Sequence, residues 1–391
     1  MKIFKAPLMA AMVGVSALGL SVAVPSMTQA QAGQSPVPID VWALRNVVNA
    51  VQVSPDGKHI LVHINPTKDG EYLLMIYKAD DLSKPFRTLN ADPMEIVGAQ
   101  WVSDNVILGN AWQVKRKKVN GPEDDVREYA LLTYDLEANK FNQIRGSFGL
   151  ENTLPSKPDS ILVSTGRAVG DEGSGVDPFA AFRPRSYYEV NLEKGTRKLI
   201  TKGTTDNPSM NFDNDGNPRV RTSINRTTNE VRLEFRMPGE SGWKDHGISF
   251  DQDEYDDLYK SLGGPWGPVG FSDTDPEIVY MLDYRDGADK AALWKFNARS
   301  GEFVEKLYEN PDADVMGIQT HSIPGNNKMV AAIYPGAKYE RHWFDDEEKA
   351  LYEALEQQIP FAHQMSISSR SRDGNTMIVS NSGRYSDQLY I

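Results

Sequence analysis

The sequence predicts an all-β fold, a seven-bladed β-propeller. Seven times, at intervals of about fifty residues, it repeats a hydrophobic strand, a tight turn rich in Asp, Asn, Gly and Pro, and a second hydrophobic strand. Several repeats also contain a second turn signal in the same relative position. Two turn signals in a fixed order favour a propeller over a tandem of β-sandwiches, which is the structural alternative.

The first turn of each repeat joins strands A and B of a four-stranded blade. Both faces of a blade are covered by neighbouring blades, so its strands are nearly continuous apolar runs. In the first blade the four strands are predicted at 48–53, 60–64, 72–77 and 86–89. The seven turns between strands A and B are at residues 54–58, 103–105, 157–160, 213–217, 272–276, 324–328 and 372–375.

The second turn joins strands C and D of a blade. It occurs within three segments, 132–140, 188–195 and 293–301, each of which starts with an aromatic or apolar run. A tight hairpin turn requires a residue with positive φ, which Gly and Asn adopt most readily. We therefore expect positive φ angles at Asn139, Gly195 and Gly301.

One helix is predicted as an insertion in the sixth blade, at about 345–358. Asp345 or Asp346 can cap its N-terminus, and the acidic residues of its first turn complement the helix dipole. We expect the helix to pack on the rim of the propeller, with partner binding as the alternative. Its apolar positions recur every three or four residues before Pro360, at Leu351, Tyr352, Leu355 and Ile359.

The seventh blade is predicted to be incomplete. Its strands A, B and C are expected at 364–369, 376–380 and 388–391, and no fourth strand follows them in the sequence. An edge strand with unpaired backbone groups is prone to pair with another chain.

Residues 1–32 have the composition of a secretory signal peptide. Lys2 and Lys5 precede an apolar segment at 8–24, and small residues allow cleavage after Ala30 or Ala32. An uncleaved anchor helix is the alternative. No later apolar run approaches the ~20 residues needed to span a bilayer. We therefore expect an exported, periplasmic protein with no membrane segment after cleavage, with a lead-in segment at 33–50 and the propeller at 51–391.

The composition excludes several classes of protein. There is no cysteine, so neither disulfide bonds nor a lipid-modified N-terminal cysteine can form. A net charge of -12 argues against a nucleic acid or an anionic membrane as partner. The one basic run, at 115–118, is followed by acidic residues at 123–125. We expect these charges to neutralise each other in a long hairpin loop.

No catalytic residue is predicted. Six histidines and many serines are present, but a Ser-His-Asp triad is defined by geometry and not by composition. A nucleophile elbow needs the pattern Gly-x-Ser-x-Gly, because the serine occupies a turn too tight for larger neighbours. The segments 239–243 and 172–176 approach this pattern, but their glycines are missing or misplaced.

No metal or cofactor site is predicted either. His59 and His63 are four residues apart on a strand, which separates them by roughly 13 Å at ~3.3 Å per residue, too far for one metal ion. Segment 211–216 resembles the start of a calcium loop, but position twelve is Thr222 instead of the required Glu. Segment 263–268 lacks the Lys-Ser/Thr of a phosphate-binding loop.

Five segments of the chain resemble one family of proteins. These are 53–58, 275–280, 342–347, 369–375 and 382–390, of which the Trp-Phe-Asp helix start and the later Ser-Arg-Asp-Gly are the more specific. They are similar to the propeller of prolyl oligopeptidase family serine peptidases, in the bacterial dipeptidyl-aminopeptidase and acylaminoacyl-peptidase branch. The resemblance covers about residues 36–391.

The resemblance implies a function in substrate selection. In that family an α/β-hydrolase domain with a Ser-Asp-His triad follows the propeller, and the propeller restricts access according to substrate size. This sequence contains no such hydrolase domain. We therefore expect a non-catalytic, substrate-gating propeller whose partners are peptide substrates or a hydrolase domain or chain. The oligomeric state stays open.

Two alternatives remain from other classes. A stand-alone periplasmic propeller that binds protein or peptide partners is the main one, while a propeller enzyme has no supporting group of residues. Acidic stretches at 171–172 and 251–257 are able to attract the amino terminus of a peptide, although plain solvation explains them as well.

Overall fold

The computed structural model describes eight segments of the chain. These are residues 47–67, 70–116, 126–145, 148–165, 184–228, 230–251, 266–383 and 388–391. The predicted signal peptide at 1–32 and most of the lead-in segment lie outside them. Within these segments, the structure contains no helix long and apolar enough to cross a membrane.

The strands form seven separate antiparallel sheets, each built from consecutive strands. Blades 1 and 2 contain β1 (Val48–Val53), β2 (His59–Ile64), β3 (Leu73–Lys78), β4 (Arg87–Leu89), β5 (Glu95–Trp101), β6 (Val106–Arg116), β7 (Val126–Asp135) and β8 (Lys140–Arg145). Blades 3 and 4 contain β9 (Phe148–Asn152), β10 (Ser160–Thr165), β11 (Ser186–Asn191), β12 (Arg197–Lys202), β13 (Met210–Phe212), β14 (Pro218–Asn225), β15 (Glu230–Phe235) and β16 (Lys244–Asp251). The predicted seven-bladed propeller is confirmed.

The remaining blades are less uniform. Blade 5 contains β17 (Gly267–Phe271), β18 (Ile278–Asp283), β19 (Ala292–Asn297) and β20 (Glu302–Tyr308). Blade 6 contains β21 (Gly317–Thr320), β22 (Met329–Pro335) and β23 (Tyr339–Trp343), followed by helix α1 (Asp346–Gln358), and blade 7 contains β24 (Gln364–Arg370), β25 (Met377–Ser382) and β26 (Gln388–Tyr390). Among the described strands, blade 7 therefore has three, as predicted.

Both turn signals have the predicted structure. All seven predicted A–B turns connect the first two strands of their blades. In the turns between strands C and D, the φ angles of Asn139, Gly195 and Gly301 are 52°, 63° and 80°. Because Gly and Asn tolerate this left-handed conformation, the residues that the sequence supplies match the backbone that the turns need.

Helix α1 packs on the propeller through one apolar face. Asp345 caps it by accepting a hydrogen bond from the Glu348 amide at 2.9 Å, as predicted for this residue. Leu355 and Ile359 then pack in one cluster with Met365 of blade 7. The helix therefore packs on the propeller between blades 6 and 7, and it buries its apolar stripe against the last blade.

The hydrophobic core lies between neighbouring blades. In one cluster Ile76 of blade 1 packs with Ile107 of blade 2, and in another Phe235 of blade 4 packs with Phe296 of blade 5. Burial of such side chains contributes about 1.5–3 kcal/mol each, so every blade depends on the next for its stability. This packing arranges the inner strands around a central channel.

Blade 7 packs directly against blade 1 and closes the ring. Ile378 of blade 7 shares a cluster with Val53 of blade 1. The Val53 amide also donates to Ser369 Oγ at 2.9 Å. The two blades share no strand within the described residues, so side-chain packing and a few hydrogen bonds hold the seam.

Candidate functional site at the channel mouth

The seven A–B turns surround one mouth of the central channel. Every inner strand runs in the same direction and ends at such a turn, because each blade repeats the same strand order. Two cavities of about 610 and 670 Å³ lie between the turns. Turns of blades 1, 2, 3, 4, 6 and 7 line the first cavity, and turns of blades 4, 5 and 6 line the second.

The turn of blade 6 crosses this mouth. Gly325 and Asn327 line both cavities. A methyl group on Gly325 would lie 3.6 Å from Cβ of Pro155, which belongs to the turn of blade 3 on the other side of the channel. We call residues 322–328 the strap, since they bridge two distant blades and separate the two cavities.

A compact hydrogen-bonded turn supports the mouth at blade 1. The buried Ser54 Oγ donates to Asp56 Oδ1 at 2.7 Å, and the Lys58 amide donates to the same oxygen at 3.1 Å. Burial opposes ionisation of Asp56, but these hydrogen bonds and the Lys58 charge outweigh it and lower the pKa of Asp56. The carboxylate therefore holds the turn together.

Blade 7 repeats the same arrangement. The buried Ser371 Oγ donates to Asp373 Oδ1 at 2.6 Å, and this bond is the main reason that the pKa of Asp373 is lowered. The two turns touch, because the Arg372 amide donates to the Pro55 carbonyl at 2.8 Å. The Arg372 side chain reaches further and pairs with Asp104 of blade 2.

A buried ion pair organises the turn of blade 4. Asp213 accepts hydrogen bonds from the amides of Asp215 and Asn217 at 3.1 and 2.9 Å, and Arg219 Nη1 lies 3.3 Å from its Oδ2. Burial lowers the pKa of Arg219, against the opposing effect of Asp213. Donors of its own turn thus occupy the carboxylate that resembled a calcium ligand. The described residues contain no group of three or more candidate metal ligands.

The mouth carries an excess of negative charge. Two of its lining carboxylates, Asp104 and Asp213, pair with the lining arginines Arg372 and Arg219. Three further lining carboxylates are exposed to solvent: Asp159, Asp215 and Asp273. A cleft lined by one sign of charge raises the local concentration of oppositely charged molecules, here cations.

A buried polar cluster connects α1 to the strap. Glu348 is 2% exposed, and its Oε1 accepts hydrogen bonds from Arg370 Nη1 and Ser322 Oγ, both at 3.0 Å. His321 Nε2 lies 3.5 Å from the same oxygen. We call these four residues the Glu348 cluster. It links the helix, the strap and the inner strand of blade 7.

The sequence analysis did not predict the Glu348 cluster. The acidic residues at 345–348 were explained by capping and by the helix dipole. Asp345 does fit that explanation, because it caps the helix. It also forms an ion pair with Lys328 at 2.6 Å. Glu348 occupies the third helical position, where an acidic side chain often reaches back to the helix start, and that position was the available signal.

The two histidines considered as metal ligands lie in different surroundings. His63 is buried, with Nδ1 2.9 Å from Asn49 Nδ2 and Nε2 2.9 Å from the Ile96 carbonyl. The ring of His59 instead packs near those of Phe86 and Trp101. Each histidine is thus accounted for by packing within blades 1 and 2.

Several charged segments considered above lie outside the described residues. These are the acidic residues at 123–125 and 171–172, the stretch at 252–257 and the glycine-rich start of segment 263–268. Their contribution to either face of the propeller stays a prediction.

The opposite face of the propeller carries exposed apolar side chains. Phe361 is 77% exposed and has a φ angle of 57°. The buried Asn381 holds its segment, since its side chain accepts from the His363 amide at 2.9 Å and donates to the Phe361 carbonyl at 3.4 Å. We use the name apolar arc for five exposed apolar residues on this face. Four lie near the starts of the inner strands of blades 6, 7, 1 and 2, and the fifth lies at the start of β23: Met316, Phe361, Val48, Val97 and Tyr339.

Comparison with known proteins gives matches among solved structures. No family model and no curated protein matches the sequence. A structure from a study of two prolyl endopeptidases is 10% identical, with a TM-score of 0.53, over 88% of this chain and 47% of that chain. Prolyl oligopeptidase B from Galerina marginata, bound to a 35-residue hydrolysis and macrocyclization substrate, is 10% identical with a TM-score of 0.51, over 88% and 49%.

The chain has the propeller fold of prolyl oligopeptidases. A third similar structure, the acylaminoacyl peptidase of Pyrococcus horikoshii, is 11% identical over 86% of this chain and 50% of that chain, with a TM-score of 0.39. The present chain spans about half the length of each of these three structures. The resemblance predicted from the sequence motifs is confirmed at the level of the fold.

Proposed function

We propose that the chain is the substrate-gating propeller of an exported serine peptidase of the prolyl oligopeptidase type, and that it is not catalytic by itself. The observation that carries this proposal is the mouth bridged by the strap between Gly325 and Pro155. Cavities of about 610 and 670 Å³ on its two sides match the size of small-ligand pockets, which measure about 300–1,000 Å³. Cavities of this volume suit a short peptide and are much smaller than a folded domain of 100 residues, whose radius of gyration is about 13 Å.

The charge of the mouth favours peptides with a positive end. Asp159, Asp215 and Asp273 are exposed around it, and no lysine or arginine other than Arg219 and Arg372 lines the described cavities. A peptide amino terminus is positively charged at neutral pH. The acidic mouth thus increases the rate at which such peptides arrive, an effect that salt weakens.

The apolar arc supports a hydrolase domain as the second partner, in the same or a separate chain. Exposed apolar patches ringed by polar surface are typical of protein interfaces. Phe361 has a φ angle that is rare for a bulky residue, and a hydrogen-bonded Asn381 fixes its segment, so its exposure belongs to the fold. The arc and the acidic mouth lie on opposite faces, so a domain on the arc leaves the mouth open to peptides.

A second candidate function is a stand-alone propeller that binds protein or peptide partners. The closed seam favours it, because Ile378 and Val53 pack together and the Arg372 amide bonds to the Pro55 carbonyl, both within the propeller itself. A ring that is sealed in this way can fold by itself. The two candidates then differ in their partner and not in their fold.

The experiment is to isolate the protein from the cell envelope of its source and treat it with a fluorophosphonate, a reagent that labels activated serines. The proposal predicts a labelled hydrolase in the same chain, with a mass well above 43.6 kDa, or in a stable complex with it. It also predicts cleavage of short peptides but not of the same sequence within a folded domain. A single unlabelled propeller without a hydrolase would overturn the proposal in favour of the stand-alone function.

The apolar arc is tested with a matched pair of variants of the same protein. Phe361→Asp is expected to weaken the association with the hydrolase domain and to decrease peptide cleavage. Leu199→Asp is the control, because Leu199 is 52% exposed on β12, outside the arc. Equal effects of both variants would show that the arc has no specific part in docking.

A further inference from the structure

The backbone of the strap is anchored by the ring of His321. The Ile323 amide donates to His321 Nδ1 at 3.1 Å. The His321 amide donates to the Lys328 carbonyl at 2.9 Å, which closes the strap at its base. Because Nδ1 accepts a hydrogen bond, the imidazole is neutral in this structure and carries its proton on Nε2. A proton on Nδ1 would face the Ile323 N–H and break the bond.

The other side of the same ring faces an incompletely bonded carboxylate. Glu348 Oε1 already accepts from Arg370 and Ser322, and His321 Nε2 lies 3.5 Å from it. Glu348 Oε2 is buried and accepts no hydrogen bond from the described part of the chain. A buried acceptor without a donor is costly, and a charged His321 ring, whose Nε2 lies 3.5 Å from the other oxygen of the same carboxylate, is able to supply one.

The charges around His321 come from three elements. Glu348 and the capping Asp345 belong to the start of α1, Arg370 ends β24, and Lys328 ends the strap. Lys328 pairs with Asp345 at 2.6 Å, and Arg370 pairs with Glu348 at 3.0 Å. The two cations are therefore each matched by a carboxylate, and Glu348 Oε2 remains as the acceptor for a further positive charge.

We propose that His321 is a proton-operated switch of the strap. One proton from solvent adds to Nδ1, the Ile323 amide is released, and the charged ring moves toward Glu348. The strap then loses the hydrogen bond between the Ile323 amide and His321 Nδ1, which fixes the backbone just before Pro324 and Gly325. Its tip is then free to move away from Pro155. Opening the strap joins the two cavities into one wider mouth. This inference concerns the motion of a described turn and does not depend on the proposed peptidase function.

The test is hydrogen exchange of the backbone amides at 321–328, measured by mass spectrometry at about pH 7.5 and pH 5.5 and corrected for intrinsic rates with an unstructured peptide. The two values lie on either side of the pH range in which a free imidazole changes its charge. We expect protection of the strap to fall about tenfold at the lower pH, the effect of losing one hydrogen bond. Protection of β3, which lies in blade 1 and outside the two blades that the strap joins, is expected to stay constant.

Two variants keep the test decisive. His321→Asn retains an oxygen near the position of Nδ1 but does not titrate, so its strap is expected to show the same protection at both pH values. Glu348→Gln removes the charge that attracts the imidazolium, so its strap is expected to lose less protection at pH 5.5 than the wild type. An equal pH response of the wild type and His321→Asn would overturn the proposal, as would a strap whose protection does not change with pH.

Discussion

Arg372 and Pro55 join the last blade of the ring to the first, since the Arg372 amide donates to the Pro55 carbonyl at 2.8 Å. The Arg372 side chain continues to Asp104, so a single residue of blade 7 contacts the turns of blades 1 and 2. Because no described strand is shared across this seam, such contacts replace the backbone pairing that would otherwise hold the ring closed.

The close packing of the turns at this seam predicts that Gly57→Ala strongly lowers the free energy of unfolding. Gly57 has a φ angle of 77°, and a methyl group there would lie 3.2 Å from Ser371 Cβ in the facing turn. The left-handed conformation alone costs about 1–2 kcal/mol for a residue with a side chain. We expect Gly57→Ala to destabilise the protein by more than that cost, because the methyl group also pushes the two turns apart. Urea unfolding of the wild type and the variant measures the change in the free energy of unfolding.

Gly239→Ala is the matched control for that substitution. Gly239 has a φ angle of 78°, but a methyl group would meet no atom within 4 Å. It therefore reports the conformational cost without the contact. Equal destabilisation by the two variants would show that the seam between blades 7 and 1 is not tightly packed.

The buried pair Arg219 and Asp213 predicts a large coupling between two single substitutions. Arg219→Met leaves Asp213 buried without its cation, which costs about 3–5 kcal/mol for pairs of this kind. Arg219 is 3% exposed and also donates to the Arg236 carbonyl at 2.9 Å, so it cannot turn toward water. We expect Asp213→Ala in the Arg219→Met background to cost much less than it costs alone.

An exposed pair provides the comparison. Arg226 and Asp206 lie 3.5 Å apart, but both side chains are 66% exposed. Exposed ion pairs contribute about 0–1 kcal/mol, so the same double-mutant cycle should show little coupling there. Arg219 also donates to the Pro276 carbonyl in the turn of blade 5. Similar coupling energies in the two cycles would contradict the account of Arg219 as a buried charge.

His63 predicts a loss of stability in mild acid. Burial is the main cause that lowers its pKa, and the Ile96 carbonyl and Glu95 offset this only in part. Between the lowered folded-state pKa and the ordinary value of about 6.5, the unfolded chain binds more protons than the folded chain. The free energy of unfolding therefore falls as the pH decreases below about 6.5.

Urea unfolding of the wild type and His63→Gln at a series of pH values tests this prediction. The urea midpoint should depend less on pH for His63→Gln than for the wild type, even though the variant is less stable throughout. Parallel curves would assign the acid sensitivity to other groups.

Local chemistry made much of the fold predictable from the sequence. Turns depend on residues that are adjacent in the chain, so the seven A–B turns and the positive φ angles of Asn139 and Gly301 followed directly from Gly, Asn, Asp and Pro. Helix α1 was predictable for the same reason, since its cap Asp345 and its apolar stripe are local features.

The site depends on distances that the sequence does not contain. The approach of Gly325 to Pro155 is set by the width of the channel, which depends on how the blades pack. Glu348 meets Arg370 and Ser322 only because α1 folds back between blades 6 and 7. Neither contact has a signal in residue spacing, so the strap and its cluster required the structure.

Disulfide trapping tests whether the strap crosses the channel mouth. The chain has no cysteine, so Pro155→Cys together with Gly325→Cys introduces the only two thiols. The Cβ distance of 3.6 Å at these positions lies within the ~3.5–4.5 Å range of disulfide bonds. Mild oxidation of the folded double variant, followed by intact-mass analysis, should give a nearly complete intramolecular bond, whereas Pro155→Cys with Gly239→Cys should give none. Failure of the first pair to form a bond, or equal bonding in both pairs, would contradict a strap that crosses the channel.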